Sequence, residues 1–175
     1  MQKILPIALS TFLGSSAVAA ELAVKLEIPK LNAPEYHRPY VALWIERADQ
    51  SAQEFVGNLA VWYDIKKKSN EGVKWLKDLR QWWRRGGRDL ALPVDGVSGP
   101  TRAPGAHDLV FAGDRGVLAK LPAGDYSLVV EAAREVGGRE LVRVPFQWNG
   151  KAGTAVTARG SDEIGAVTVQ VRTGR

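Results

Sequence analysis

The strongest constraint on the fold is an alternation of apolar and polar residues that recurs along most of the chain. From residue 22 to residue 28 every second residue is a large aliphatic one, and Pro29 follows. Because side chains alternate between the faces of a β-strand, this pattern predicts a strand with one buried face, ended by the proline. Further strands are predicted at 40–47, 59–63, 109–111, 126–132, 141–146 and 167–171. With Gly and Pro turns between them, about seven strands predict an all-β, antiparallel immunoglobulin-like sandwich. The segment 150–160 is left open between strand, hairpin and loop.

One segment departs from this alternation. Between residues 70 and 85, large apolar side chains recur three, four and seven positions apart, which places them on one side of a helix. They are Trp75, Leu76, Leu79, Trp82 and Trp83. Asn70 is predicted to cap the start of this helix, and Gly86 follows its end. The sequence therefore predicts one amphipathic helix, at about 70–85, whose apolar side packs on the sandwich.

The first twenty residues have the three parts of a secretory signal peptide. Residues 1–3 form a short positive start, residues 4–13 are mostly apolar, and small residues lead to Ala19 and Ala20. The apolar run is too short to span a bilayer. We therefore expect cleavage after Ala19 or Ala20 and a soluble periplasmic protein. Its length fits a single domain, at 21–175, with one hydrophobic core.

The composition excludes several kinds of chemistry. The chain contains no cysteine, so disulfides, thiolate metal sites, iron–sulfur clusters and cysteine nucleophiles are ruled out. The two histidines, His37 and His107, are 70 residues apart and have no carboxylate-rich spacing of a metal site nearby. Ser98, His107 and Asp108 supply the residue types of a hydrolase triad, but the Gly-x-Ser-x-Gly context that exposes a nucleophile is missing. We therefore expect a protein that is not an enzyme and has no catalytic or metal-binding residues.

Positive charge is concentrated in the predicted helix and its flanks. Residues 66–88 contain nine Lys and Arg residues and two acids, whereas the whole chain has a net charge of +5. Such a segment binds nucleic acid, a membrane surface or an acidic protein, or it is a solvated polar face. Because an exported protein does not meet nucleic acid, we expect docking to a partner protein or a membrane surface. The predicted partner-binding residues are Lys74, Lys77, Arg80, Arg84 and Arg85.

A loop rich in Gly and Pro, at 95–105, is the second candidate site. It resembles the motif Asp-x-x-Ser/Thr-Gly-Ala-Ser/Thr, to which ApbE-type flavin transferases attach flavin mononucleotide (FMN) through a phosphoester. By this resemblance Thr101 is the acceptor, and the cofactor-binding residues are Asp95, Ser98, Gly99, Thr101 and Arg102. Pro100 replaces the alanine of the motif and removes one backbone N–H. The alternative is a rigid loop between strands whose hydroxyl groups bond the nearby backbone.

Four blocks of the sequence together point to a family. They lie at 40–46, 75–82, 95–105 and 122–135, and in this order they resemble the predicted periplasmic proteins of domain-of-unknown-function family 2271 (DUF2271). The resemblance covers residues 22 to 147. It implies a role as a companion of PepSY-type membrane proteins and ApbE-type flavin transferases, in systems for exported flavin redox chemistry and iron uptake.

A further block, at 113–126, resembles the immunoglobulin-like module of flagellar hook-capping (FlgD-like) proteins, although the Trp-Asp-Gly that opens the block there is absent. The Gly-Asp-Tyr step that ends at Tyr126 also predicts a tyrosine corner, a feature of sandwich folds.

Three functions follow from these observations. The leading prediction is an accessory protein of a membrane flavin or iron redox system that carries FMN on Thr101. The second is a binding module for an iron chelate or haem, in a pocket lined by Trp62, Trp75, Trp82 and Trp83. The third is a purely structural or interaction domain, for which the sandwich alone suffices.

Overall fold

Two β-sheets packed face to face form the body of the protein, in a computed structural model that describes residues 20–48 and 53–174. In chain order the strands are β1 (Ala20–Ile28), β2 (Tyr40–Ala48), β3 (Gln53–Tyr63), β4 (Ser98–Pro100), β5 (Gly105–Ala112), β6 (Gly124–Ala133), β7 (Arg139–Trp148), β8 (Val156–Arg159) and β9 (Ala166–Thr173). All seven predicted strands are present. The short strands β4 and β8 are additional, and β8 accounts for part of the segment 150–160.

The two sheets differ in their strand pairing. One has the order β5-β1-β9-β8 and is antiparallel throughout. The other has the order β4-β3-β2-β6-β7, and its edge strand β4 runs parallel to β3. A parallel pair needs a long crossover connection, which residues 64–97 supply. The predicted sandwich is therefore confirmed, with one parallel edge.

The space between the sheets is filled by aliphatic and aromatic side chains, which we call the inner core. Strands β1 and β9 each direct alternate residues into it, as their period-two patterns predict. Its most buried members include Leu22, Leu26, Leu43, Leu128, Val144 and Val169. Tyr126 is also buried here, and its hydroxyl donates a hydrogen bond to the Pro122 carbonyl at 2.9 Å. The predicted tyrosine corner is confirmed.

The opposite, outer face of the five-stranded sheet is covered by the helical segment, residues 68–87. This segment consists of a 3₁₀ turn (Lys68–Asn70), α1 (Glu71–Lys74), a second 3₁₀ turn (Leu76–Asp78), α2 (Arg80–Trp82) and a π-helical turn (Trp83–Gly87). A separate 3₁₀ turn, Leu118–Lys120, precedes β6. Leu76, Leu79 and Trp82 are fully buried in a second cluster of apolar side chains with Trp44 and Tyr63, which we call the outer core.

The helical segment lies where the sequence predicts, but it is not one continuous helix. Leu79 has ψ of 71°, which interrupts the helical path before α2. Trp75 lies between α1 and the second 3₁₀ turn, and it is half exposed instead of buried with its neighbours. Asn70 has a left-handed conformation, and its side chain makes no capping hydrogen bond. The predicted cap at Asn70 and the predicted burial of Trp75 are therefore wrong.

The predicted signal peptide falls almost entirely outside the described residues. Residues 1–19 belong to the part of the chain whose structure is not described, and Ala20 is the first residue of β1. Among the residues that are described, no helix is long and apolar enough to cross a membrane.

Candidate functional site

A cavity of about 760 Å³ lies at one end of the five-stranded sheet, and we call it the Trp75 pocket. Its walls come from the segment before β2, the end of β3, the helical segment and the turn between β6 and β7, together with Thr101. A volume of this size is typical of sites for small organic ligands. The pocket is therefore a candidate binding site, assembled from segments that are distant in the sequence.

Two exposed apolar side chains lie on the walls of this pocket. Trp75 is 50% exposed and Val136 is 82% exposed, and both line the cavity. Within residues 20–48 and 53–174, the only other exposed large hydrophobic residue is Val110, on β5. Both side chains are therefore accessible to a molecule that enters the cavity.

The pocket lining carries charges of both signs. Arg38, Lys67 and Arg80 line it and form no ion pair with any described residue. Two further arginines that line the pocket, Arg134 and Arg139, bind the buried carboxylates of Glu163 and Glu131, which do not line it. The acids that line the pocket are Asp64, Asp78 and Glu135. The Trp75 pocket therefore combines an aromatic surface with several cations.

One of these further arginines, Arg134, is held in a fixed orientation by Glu163. Its Nε and Nη2 donate hydrogen bonds to the two carboxylate oxygens of Glu163, at 2.9 and 3.0 Å. These hydrogen bonds raise the pKa of Arg134. The Gly138 N–H also donates to Glu163, at 2.7 Å. The Arg134 side chain is only 8% exposed, and its Nη1 is buried without a hydrogen-bond partner.

The second of them, Arg139, binds Glu131, a fully buried carboxylate on β6 that also fixes the start of α2. Glu131 accepts hydrogen bonds from the backbone N–H groups of Gln81 (3.1 Å) and Trp82 (2.8 Å). The guanidinium of Arg139 donates to the same carboxylate at 3.0 Å. The first N–H groups of a helix have no partner within it, so a carboxylate at this position both satisfies and orients them.

A second fully buried carboxylate, Glu46 on β2, lies against the other end of the helical segment. It accepts a hydrogen bond from Trp44 Nε1 at 2.9 Å and one from Arg143 Nε at 3.1 Å. Arg85 Nη1 lies 3.3 Å from it. Neither Glu46 nor Glu131 was predicted as important. The sequence does contain a signal for both residues. Each glutamate interrupts a strand that is apolar on both faces, so neither face of the strand is exposed and the carboxylate is expected to be buried.

The predicted partner-binding residues separate into two groups. Lys74, Lys77, Arg80 and Arg84 are exposed on the helical segment. Lys74 lies 3.8 Å from Glu71, and Arg84 Nε donates to the Arg80 carbonyl. Arg85 instead forms an ion pair within the chain, with Glu46. Its side chain is partly buried at this contact, so Arg85 does not belong to the exposed basic surface.

Most of the predicted cofactor-binding residues make contacts that hold the loop in place. Ser98 Oγ accepts the Val94 N–H at 2.9 Å. The Arg102 guanidinium stacks 4.1 Å above the Trp62 ring, and burial lowers the pKa of Arg102. Gly99 packs beside the same ring. Such contacts are expected if the loop is a rigid connection between strands, which is the alternative to a cofactor-binding loop.

Asp95 and Thr101 complete the predicted set. Asp95 is exposed in the turn before β4. The Thr101 N–H donates to the Tyr63 carbonyl at 3.2 Å, which continues the pairing of β4 with β3. Of the five predicted cofactor-binding residues, all of them described, Thr101 alone lines the Trp75 pocket.

The four tryptophans predicted to form one pocket do not come together. Trp62 belongs to the inner core and Trp82 to the outer core, on opposite faces of the sheet. Trp83 is partly buried beside Trp82. Because successive residues of β3 face opposite sides, Trp62 points to the inner face of the sheet, whereas the helical segment covers the outer face. Trp62 therefore cannot share a pocket with the helical segment. Trp75 is the member of this set that lines the cavity.

The two histidines also lie in different places. His37 lines the Trp75 pocket, with Nε2 at 3.1 Å from Glu35 and Nδ1 at 3.6 Å from Glu135. His107 Nε2 lies 2.8 Å from the Ala103 carbonyl, on β5. Within the described residues, no group of three or more His, Asp or Glu side chains is placed to hold a metal ion.

Comparison with known proteins identifies the family. A family model described as "Predicted periplasmic protein (DUF2271)" matches residues 21–166, which include the helical segment and all the segments that line the Trp75 pocket. No curated protein and no solved structure matches the chain. The family description agrees with the periplasmic location predicted from the N-terminal sequence. The chain therefore belongs to the DUF2271 family of predicted periplasmic proteins.

Proposed function

We propose that this chain is a periplasmic binding module that holds a planar, anionic ligand in the Trp75 pocket. The observation that carries the proposal is the position of Trp75, a half-exposed tryptophan on the wall of a cavity of about 760 Å³. The indole face offers a stacking surface for an aromatic ring. The cations Arg38, Lys67 and Arg80 favour a ligand with negative charge.

Equilibrium dialysis of the purified protein tests this proposal with three probes: FMN, haem and ferric citrate. We expect the wild-type protein to bind FMN or haem, and the variant Trp75→Ala to bind it roughly tenfold more weakly, since stacking on an aromatic side chain contributes about 1–3 kcal/mol. The matched control is Val110→Ala, which changes an exposed apolar residue outside the pocket. The proposal is wrong if none of the probes binds, or if both variants bind as the wild type does.

A second function is supported by the position of Thr101 on the wall of the same pocket. In this proposal the protein carries FMN covalently, as the accessory electron carrier of a membrane redox system, and an ApbE-type transferase loads it. The Thr101 oxygen attacks the FMN phosphorus of a flavin dinucleotide. The phosphoester forms as the pyrophosphate P–O bond breaks, and the nucleoside monophosphate leaves. The hydroxyl proton passes to a base, and no electrons are exchanged. The flavin then supplies the redox chemistry, while the protein positions it.

The intact mass of protein purified from cells that also express an ApbE-type transferase tests this second function. We expect the mass to increase by one FMN group in the wild type and in Thr101→Ser, which keeps a hydroxyl. Thr101→Ala is expected to show the unmodified mass. An unmodified wild type, or an FMN adduct that persists in Thr101→Ala, would remove this function and leave loop 95–105 as a structural connection.

The exposed cations of the helical segment supply a docking surface for the membrane component of such a system. The surface consists of Lys74, Lys77, Arg80 and Arg84, and we expect it to contact an acidic face of a PepSY-type membrane protein. Charge reversal at two positions outside the pocket lining, Lys77→Glu with Arg84→Glu, is expected to abolish capture of that partner. Capture that is unchanged by this double reversal would exclude the surface, and equal retention on anionic lipid vesicles alone would assign it to the membrane instead.

A further inference from the structure

Arg134 occupies an unusual position in the wall of the Trp75 pocket. It also lines a second cavity of about 410 Å³, so it lies between two cavities. Its guanidinium is more than nine-tenths buried, and Glu163 occupies both Nε and Nη2. The remaining nitrogen, Nη1, has no partner. A buried donor without a hydrogen-bond partner destabilises the fold, so a group that supplies an acceptor at this point is stabilised there.

The chemistry of Arg134 defines the group that it can bind. A guanidinium donates and never accepts, and it favours the planar or tetrahedral oxygens of carboxylate and phosphate. The bidentate bond to Glu163 fixes the direction of Nη1, so little conformational freedom is lost when an anion binds. Arg38, Lys67 and Arg80 add positive charge in the same pocket.

The turn beside Arg134 is held in a strained conformation. Val136 has φ of 53°, in the left-handed region that β-branched residues rarely adopt. Gly137 packs directly on the Arg134 guanidinium, where a Cβ atom would not fit. Since Nη1 is itself buried, an anion binds there only with a local shift of the residues around it. Strained backbone of this kind is typical of segments that clamp a ligand.

We infer that the Trp75 pocket contains an oxyanion subsite at Arg134 Nη1, which selects ligands that carry a phosphate or carboxylate group beside their ring. This inference rests on the proposed binding function. In this inference the ring of the ligand stacks on Trp75, and its phosphate or carboxylate group binds Arg134. Glu163 is a positioning residue for this subsite, since it acts through Arg134.

A matched pair of ligands tests the subsite. Riboflavin and FMN share the same ring and the same fluorescence, and they differ in the phosphate. In titrations with wild-type protein purified without a transferase, we expect FMN to bind at least tenfold more tightly than riboflavin. Arg134→Lys is expected to reduce this preference to less than threefold. Arg115→Lys, at an exposed arginine outside the pocket lining, is the control.

The outcomes separate the subsite from the binding function. Equal affinities of the wild type for FMN and riboflavin would overturn the subsite and keep the binding function, whereas binding of neither flavin nor haem would overturn both. A preference for FMN that survives in Arg134→Lys would assign the phosphate to other cations and also overturn the subsite. If Arg134→Lys does not fold, the ¹H–¹⁵N NMR signals of the wild-type Arg134 guanidinium decide, because they are expected to shift with FMN and to stay in place with riboflavin.

Discussion

The inner and outer faces of the five-stranded sheet are covered in different ways. The inner face packs on the other sheet through apolar side chains such as Leu43 and Leu128. The outer face buries two carboxylates, Glu46 and Glu131, and both bind the helical segment. Hydrophobic packing is non-directional, whereas charge-assisted hydrogen bonds require a defined geometry.

This difference shows which face of the sheet holds the walls of the Trp75 pocket in place. The carboxylate of Glu131 accepts the N–H groups of Gln81 and Trp82 in the first turn of α2. The lining residues Trp75, Asp78 and Arg80 lie just before these two residues in the sequence. Glu131 also holds Arg139, which lines the pocket as well. The inner core supplies the stability of the sandwich, and the outer face positions the walls of the Trp75 pocket.

Removing Glu131 is expected to have the largest effect. Glu131→Ala leaves the Arg139 guanidinium and two N–H groups of the helical segment without their acceptor, which we expect to lower the free energy of unfolding by about 3–5 kcal/mol. Urea denaturation measures this. Glu135→Ala, at an exposed carboxylate in the following turn, is expected to change stability by less than about 0.5 kcal/mol. Similar small effects for both variants would show that the outer face does not depend on its buried charge.

Two adjacent arginines differ in their surroundings, since Arg85 contacts the outer face of the sheet and Arg84 faces solvent. Arg85→Ala removes an ion pair to the buried Glu46, while Arg143 still binds that carboxylate. We expect a loss of about 2 kcal/mol, the usual contribution of a hydrogen bond to a charged group. Arg84→Ala is expected to cost less than about 0.5 kcal/mol. Thermal unfolding of the two variants compares them directly, and equal losses would contradict the structural role assigned to Arg85.

The strained turn at Val136 gives an expected gain in stability. Asn tolerates the left-handed conformation better than a β-branched residue, and Val136 is too exposed to contribute packing. We therefore expect Val136→Asn to raise the free energy of unfolding by about 1 kcal/mol. Val136→Ile keeps the β-branch and is expected to give no gain in the same melting experiment. If Val136→Asn is destabilising, the strain assigned to this turn is absent.

The smallest effect is expected at Glu140, a carboxylate at the rim of the inner core. Burial pulls its pKa upward, but hydrogen bonds donated by Ser161, Ile164 and Asp162 outweigh burial and hold the pKa below its ordinary value of 4.5. A lowered pKa stabilises the fold above the unfolded-state pKa, and this contribution is lost as the pH falls through the folded-state pKa.

Unfolding experiments at several pH values with Glu140→Gln test this effect. The wild type is expected to be more stable than the variant at pH 7, with the difference shrinking below about pH 4. A difference that stays constant across this range would show that the ionised carboxylate is not what stabilises the loop.

Much of the fold could be predicted because local patterns determine it. The alternation in β1 depends on neighbouring residues, and the position of Tyr126 after a Gly-Asp turn is enough to predict its corner hydrogen bond. The helical segment was located correctly for the same reason. Its division was not foreseen, because the break at Leu79 arises where the segment packs on the sheet.

The candidate site could be predicted only in fragments. Thr101 and Arg80 were singled out for separate reasons, and the sequence does not show that they line one cavity. The pairing of Arg134 with Glu163 joins residues 29 positions apart, which depends on how β6 and the loop before β9 meet. Tertiary contacts of this kind leave no periodic pattern in the sequence.

Hydrogen–deuterium exchange of the full chain, with and without FMN, tests most directly whether the outer face forms the ligand site. FMN is expected to slow exchange in residues 75–80 and 134–139 and to leave β1 and β9 unchanged. Protection confined to β1, β9 or loop 95–105, or no protection at all, would contradict a ligand site in the Trp75 pocket.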